Sequence, residues 1–219
     1  MRRYAALGRC YDVLSLEAPV YRRPRLRLLH LLAPAPGSTV VDLGCGTGLN
    51  FPGILAAIGP RGRLIGVDSS ASMLAAARRR VARSGWSNVV LLQGDAADLE
   101  GLLSRAAVRG EEVDSVLATF VLSVLPDDGP VWDALDRLAA GRALRVGIAD
   151  IGPAASAPPP LRLVYRLFAA LGGARPQRRP WLRLARRGTT MAREQHLDGH
   201  VELAVVSYAP RGADDARDS

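Results

Sequence analysis

The 219-residue chain contains no lysine: its 29 basic residues are all arginine, and against 21 acids they leave a formal net charge of +8. A uniform arginine-for-lysine bias, with abundant Ala, Gly and Pro, reads as coding bias from a GC-rich genome, so charge alone does not establish a nucleic-acid binder. Cysteine is nearly absent, and Cys10 and Cys45 cannot form a disulfide framework; they suit a reducing compartment. The three histidines and two cysteines show no clustered metal-ligand spacing, and no metal is expected. Long hydrophobic runs are missing too. The longest near the middle, Val116 to Leu125, is too short to span a bilayer, and Arg9 and Asp12 interrupt any leader-like stretch after Met1-Arg2-Arg3. A soluble cytoplasmic protein is the expectation. What is present, 48% hydrophobic and 23% charged residues, suits one globular domain with a proper core and excludes a disordered chain.

The remaining pattern alternates. Short aliphatic runs at 39–43, 63–67, 88–92, 113–118 and 144–150 read as strands, separated by helical segments at 49–58, 71–84, 96–107 and 127–140. Ser69 or Ser70 caps the helix over 71–84 and Gly85 ends it, while acids in the first turn of 127–140 suit the helix dipole. Strands separated by helices predict a parallel sheet covered on both faces, and the near-continuous apolar runs predict strands buried on both sides. Two helices, 4–16 and 22–32, precede the sheet. After the fifth strand, Ala157-Pro158-Pro159-Pro160 reads as a linker, 161–171 as a helix, 175–180 as a loop and 181–185 as a short helix. Two alternating strands, 189–197 and 200–208, meet at Asp198-Gly199, a strong hairpin signal. The expected class is α/β: a seven-stranded, Rossmann-like, doubly wound sheet, mostly parallel, with a C-terminal antiparallel hairpin.

Chemistry gathers at the strand ends. Strand one runs into Asp42-Leu43-Gly44-Cys45-Gly46-Thr47-Gly48-Leu49, where the glycines let the backbone pass close to a ligand at a helix N-terminus. The dinucleotide fingerprint G-x-G-x-x-G fails, because position 49 is Leu and the third glycine falls one residue early. Asp42, two residues before the first glycine, suits a ligand with an amino group better than one with a pyrophosphate. Strand two ends in Val67-Asp68-Ser69, and a carboxylate there can accept both hydroxyls of a ribose. Strand three is followed by Gly94-Asp95-Ala96, suited to an adenine amino group and ring, and strand four ends at Thr119-Phe120. Four successive strand ends on one carboxyl edge frame a crevice for one nucleoside-like ligand.

Together these residues resemble the class I S-adenosylmethionine-dependent methyltransferases over roughly residues 10–150. The carriers are Val41-Asp-Leu-Gly-Cys-Gly-Thr-Gly48, Gly66-Val-Asp-Ser-Ser-Ala-Ser-Met-Leu74 and Gln93-Gly-Asp-Ala-Ala97. The resemblance implies S-adenosyl-L-methionine as cofactor. Gly44, Cys45 and Gly46 would contact its methionine part, Asp68 would hold the ribose hydroxyls, and Asp95 and Ala96 would read the adenine; Asp42, Gly48, Ser69 and Gly94 are further cofactor-binding candidates. Met73 would pack near the adenine, although Met at helical spacing is more often core. Thr119 and Phe120 would line the methyl end, and Tyr11 would cover the cofactor. It also implies one methyltransferase domain over 1–210: a helical cap (1–36), a cofactor-binding core (37–150), an acceptor-side insert (151–187) and a terminal hairpin (188–210), followed by a frayed tail (211–219). Shorter likenesses narrow the kind. Tyr11-Asp12 with Pro19-Val20-Tyr21 is similar to the N-terminal helices of quinone C-methyltransferases and bacterial phosphatidylethanolamine N-methyltransferases. Leu122 to Asp127 resembles the methylating domain of betaine-lipid synthases. The usual Pro-Gly-Gly before strand five is replaced by Ala140-Gly141-Arg142, and Thr119-Phe120-Val121-Leu122 stands where base-amine methylating enzymes carry Asn- or Asp-Pro-Pro-Tyr, which disfavours nucleic acid.

The implied reaction is in-line methyl transfer to a small-molecule or lipid-like acceptor. A non-catalytic cofactor-binding partner, and less so an RNA methyltransferase, are the alternatives. A base is needed only if the acceptor must lose a proton. His200, just past the hairpin turn, and Tyr21 are the catalytic candidates; His30 reads as structural. From 161 to 193 there are arginines at 162, 166, 175, 178, 179, 183, 186, 187 and 193 and no acid. Such a stretch suits peripheral contact with an anionic membrane, or is a solvated helical face.

Overall fold

The computed structural model describes residues 20–209. The expectations for the helix over 4–16, Cys10, Tyr11, Asp12, Pro19 and the tail 211–219 lie outside the described residues. Helix α1 (Arg22–Leu32) leads into the strands β1 (Thr39–Leu43), β2 (Arg63–Asp68), β3 (Val89–Gln93), β4 (Ser115–Thr119) and β5 (Leu144–Ile151). Between them lie α2 (Phe51–Ile58), α3 (Ala71–Ser84), α4 (Leu99–Arg105) and α5 (Gly129–Leu138). Then come α6 (Pro159–Leu171), α7 (Pro180–Ala185), β6 (Gly188–His196) and β7 (Val201–Tyr208). The seven-stranded sheet has the order β3-β2-β1-β4-β5-β7-β6; β1 to β5 pair in parallel, and β7 runs antiparallel to both β5 and β6.

Side-chain alternation along each strand divides the core into two layers. Val41, Leu43, Ile65, Val67, Val116, Val146 and Ile148 face one layer with Trp132 of α5 and Trp181 and Leu184 of α7. Val40, Leu64, Leu117, Leu203 and Val205 face the other, with Leu28 and Leu32 of α1 and Phe51, Ile54 and Ile58 of α2. Helix α3 is capped as expected: the Ser70 hydroxyl accepts from Met73 N, and Gly85 closes the helix in a left-handed conformation.

Several expectations are corrected. The helix over 96–107 is a 3-10 turn at Ala96–Asp98 followed by α4, because the Asp95 carboxylate accepts from Ala97 N and re-aims the chain. The linker is shorter than expected, since Pro159 and Pro160 open α6, positions proline tolerates because it lacks only an N–H that a first turn leaves unpaired. Strand β3 is only half buried, as befits the sheet edge. The hairpin strands do not both alternate: β7 is buried along most of its length because it lies between β5 and β6. Helix α5 begins at Gly129 with no acid in its first turn. Asp128 instead accepts from Trp132 Nε1 at 2.7 Å, from Arg178 at 2.9 Å and from Arg183 at 2.7 Å, fixing the insert to the start of α5.

Candidate active site

Because Val41 and Leu43 face the α5 layer, Asp42 points into the other one, toward the start of α2. Its side chain is fully buried. Asn50 Nδ2 donates to Asp42 Oδ1 at 2.9 Å and to Thr119 Oγ1 at 3.0 Å. Arg25, from α1, donates to Asn50 Oδ1 at 3.4 Å and to the Thr119 hydroxyl. Asp42 Oδ2 is buried with no partner among the described residues. Burial pushes this carboxyl up to about 7; the Asn50 bond and the Arg25 charge pull it down, and Asp68 pushes it further up.

The glycine loop wraps over this network. Gly44 and Gly46 hold φ of +66 and +56, the left-handed region that costs other residues about 1–2 kcal/mol. A Cβ on Gly44 would collide with Val121, whereas one on Gly46 would meet nothing within 4 Å, so the loop is open in front of Gly46. Asp68, at the tip of β2, braces the loop from the side, accepting from Gly46 N and Ser70 N at 2.8 Å each. Burial raises its carboxyl above the ordinary value, and those two bonds oppose the rise. Cys45 donates its N–H to Val67 O at 2.9 Å, and burial pushes its thiol well up, which excludes a thiolate nucleophile at neutral pH. Gly48 is buried, Ser69 is exposed at the loop tip, and Met73 is buried in the first turn of α3. Gly94 N donates to Asp68 O at 3.1 Å, bringing the Gly94-Asp95-Ala96 turn beside Asp68.

Beyond Thr119 the structure joins residues far apart in the chain. Phe120 sits at φ +56 just past β4, strain that surrounding contacts must hold. Its ring lies 4.8 Å from the Tyr21 ring and 4.8 Å beneath the Arg25 guanidinium. The Tyr21 hydroxyl is 3.1 Å from His200 Nε2, and Tyr165 of α6 stacks on the His200 ring at 4.3 Å and 8°. His200 lies within the Leu197–His200 turn, ahead of β7, and is 1% exposed; burial pushes its pKa down to about 4, so the ring is neutral at pH 7. Its Nδ1 is buried without a partner among the described residues. His196 bonds Glu194 at 3.3 Å on the edge strand, and His30 is exposed in the last turn of α1.

Sequence reading missed Arg25, Asn50 and Tyr165. One signal was present: Tyr21 and Arg25 are four apart and share a helical face. The Ala140-Gly141-Arg142 loop lies at the amino end of β5, the opposite edge from the site. There Arg142 donates to Val113 O at 2.6 Å and Gly110 O at 2.7 Å.

A methyltransferase-domain profile matches residues 40–140. The chain is 31% identical over 220 residues to the nocamycin O-methyltransferase of Saccharothrix syringae, covering 92% of this chain and 75% of that one. The chain belongs to the S-adenosylmethionine-dependent methyltransferases. The family's cofactor is S-adenosyl-L-methionine. The methyltransferase is also 36% identical over 121 residues to the arsenite methyltransferase of Halobacterium salinarum, over 54% of this chain but only 28% of that one, so it spans a minor part of some relatives. Its fold matches a methyltransferase from Aquifex aeolicus with a TM-score of 0.59 at 18% identity, over 89% of this chain and 96% of that one.

Proposed function

We propose that this methyltransferase modifies a small-molecule or lipid-like acceptor held along the row Phe120, Tyr21, His200 and Tyr165. The observation that carries the reading is the Tyr21–His200 hydrogen bond, made in the middle of an aromatic row that starts just past β4. The likeness to an enzyme named for O-methylation of nocamycin supports a small-molecule acceptor.

The cofactor side fits the group. Asp42 offers a buried, unpartnered oxygen, and the space before Gly46 is open. Asp42, Gly44, Cys45, Gly46 and Gly48 would hold the methionine part, with Thr119 and Phe120 at the methyl end. Asp68 and Ser69 would take the ribose, and Met73, Gly94, Asp95 and Ala96 the adenine. S-adenosylmethionine, when bound, supplies a methyl group on a positively charged sulfur. The chain's own task is then to bind, orient and exclude water; proximity and orientation supply about 7–11 kcal/mol in favourable systems. Tyr21 meets the acceptor; as its oxygen takes the acceptor's proton, its own hydroxyl proton passes to Nε2 of neutral His200, which is left as the imidazolium.

His200→Gln should lower kcat on a proton-losing acceptor and flatten its pH profile, while the dissociation constant for S-adenosylhomocysteine stays unchanged. An unaltered kcat removes His200 from the mechanism. A lipid-presented acceptor is the second reading, favoured by Leu163, Val164, Leu167, Phe168 and Leu171, which form an exposed apolar face on α6. No helix among the described residues is long and apolar enough to cross a membrane. Incubation with labelled methyl donor and fractionated cell extract separates the readings. Label in the organic phase supports a lipid or quinone, and label in a soluble metabolite supports the other. Label in RNA, or none, overturns both.

A further inference from the structure

We infer that the acceptor carries a carboxylate or phosphate group, seated against Arg166 in a pocket beside His200. This deepens the acceptor reading above and rests on it. The pocket has a volume of about 320 Å³ and is lined by Gly152, Pro153, Arg162, Tyr165, Arg166 and Gln177, among others. That volume falls at the small end of ligand sites, which span about 300–1,000 Å³.

Two observations place the pocket at the chemistry. Tyr165 lines it and stacks on His200, and Gly152, also in its wall, donates its N–H to His200 O at 2.8 Å. Its charge is one-sided. The lining contains two arginines and no acid. The Asp198 carboxylate acts on Tyr165 through its charge, outside the lining, and forms no ion pair with an arginine among the described residues.

The two arginines have different duties. Arg162 donates to Ala155 O at 3.0 Å and Ala157 O at 2.9 Å, so it braces the chain entering α6. Arg166, one helical turn on and exposed, makes no hydrogen bond or ion pair among the described residues; Arg179 and Arg186 are likewise unpaired, but of the three only Arg166 lines the pocket. A planar guanidinium facing a pocket without an acid suits a bidentate oxyanion. The Tyr165 ring and Pro153 give the adjoining apolar wall, so the fitting ligand is an aromatic or unsaturated body with an anionic end.

The test uses calorimetry on the full chain with phenyl phosphate, benzoate and neutral benzyl alcohol, each with and without saturating S-adenosylhomocysteine. Both anions should bind at least tenfold more tightly than benzyl alcohol. Arg166→Gln should erase that preference and leave S-adenosylhomocysteine affinity unchanged, since Arg166 is outside the proposed cofactor and proton-handling residues. Sedimentation with phosphatidylglycerol and phosphatidylcholine vesicles identifies the source of the anion. Arg166-dependent sedimentation with phosphatidylglycerol assigns a lipid head group, and binding of phenyl phosphate alone assigns a free metabolite. Equal binding of benzyl alcohol and the anions, or an anion preference that survives Arg166→Gln, overturns the inference. Failure of S-adenosylhomocysteine to bind would instead strike the methyltransferase reading, because the anion preference is also measured without it.

Discussion

Replacing Asp42 by Asn removes a buried charge and keeps the oxygen that accepts from Asn50. Burial pushes this carboxyl from 3.8 up to about 7, and each unit corresponds to about 1.36 kcal/mol. The folded chain thus keeps the Asp42 proton to higher pH than the unfolded chain. The stability this provides is fully present below pH 4 and is lost as pH rises through about 7. Between pH 5 and pH 8 the loss amounts to roughly 2–3 kcal/mol from this one group. Asn does not titrate, so the variant escapes the loss. Asp150, pushed up to about 6 by burial, titrates in both proteins and cancels in their difference. Urea unfolding of the two proteins without cofactor, at pH 5 and pH 8, measures that difference directly. It should move in favour of Asp42→Asn by roughly 2–3 kcal/mol on going from pH 5 to pH 8. The same variant should bind S-adenosylhomocysteine more weakly, since the amino group of the ligand loses its carboxylate. A stability difference that is the same at both pH values would refute the reasoning, because Asp42 would then be ionised in the fold throughout.

Asp68→Ala should raise the dissociation constant for S-adenosylhomocysteine at least tenfold, because hydrogen bonds to a carboxylate are worth about 1.5–3 kcal/mol each; calorimetry on the folded variant checks it. Gly44→Ala should lower the melting temperature, since a left-handed conformation costs about 1–2 kcal/mol before the collision with Val121 is added. Asp128→Ala strands Trp132 Nε1, Arg178 and Arg183 and should destabilise the chain by about 2–3 kcal/mol, less than a fully buried pair because the arginines are part-exposed. Replacing Arg175, Arg178 and Arg179 together should therefore act first on stability, in denaturant titrations, and only then on any membrane contact.

The basic stretch shows how far sequence reading goes. As a string, 161–193 offers arginines without acids, which reads as a solvated helical face first and a membrane face second. The structure sends Arg175 to Pro126 O, Arg178 and Arg183 to Asp128, and Arg187 to Asp136, partners supplied by the loop before α5 and by α5 itself. Nothing local to the stretch could have named them. Arg166 is set apart by its place in the pocket wall beside Tyr165, which only the fold decides.

By itself the sequence determined the strand-and-helix alternation, the glycine loop after β1, a serine cap at 69 or 70 and the carboxylates at successive strand ends. These are legible because they follow from local rules: a two-residue period for strands, a 3.6-residue period for helices, and the backbone freedom of glycine. Alternation also sufficed to put Asp42 on the opposite face from Val41 and Leu43. Tertiary structure alone decided that Tyr21 meets His200 across 179 positions and that Arg25 reaches Thr119 across 94. It decided as well that Tyr165 stacks on that histidine and that Asp42 keeps an unpartnered oxygen. Those contacts arise from how α1, α6 and the hairpin turn pack at one end of the sheet. Burial, which moves the Asp42 and His200 titrations, is a property of that packing and of no single segment.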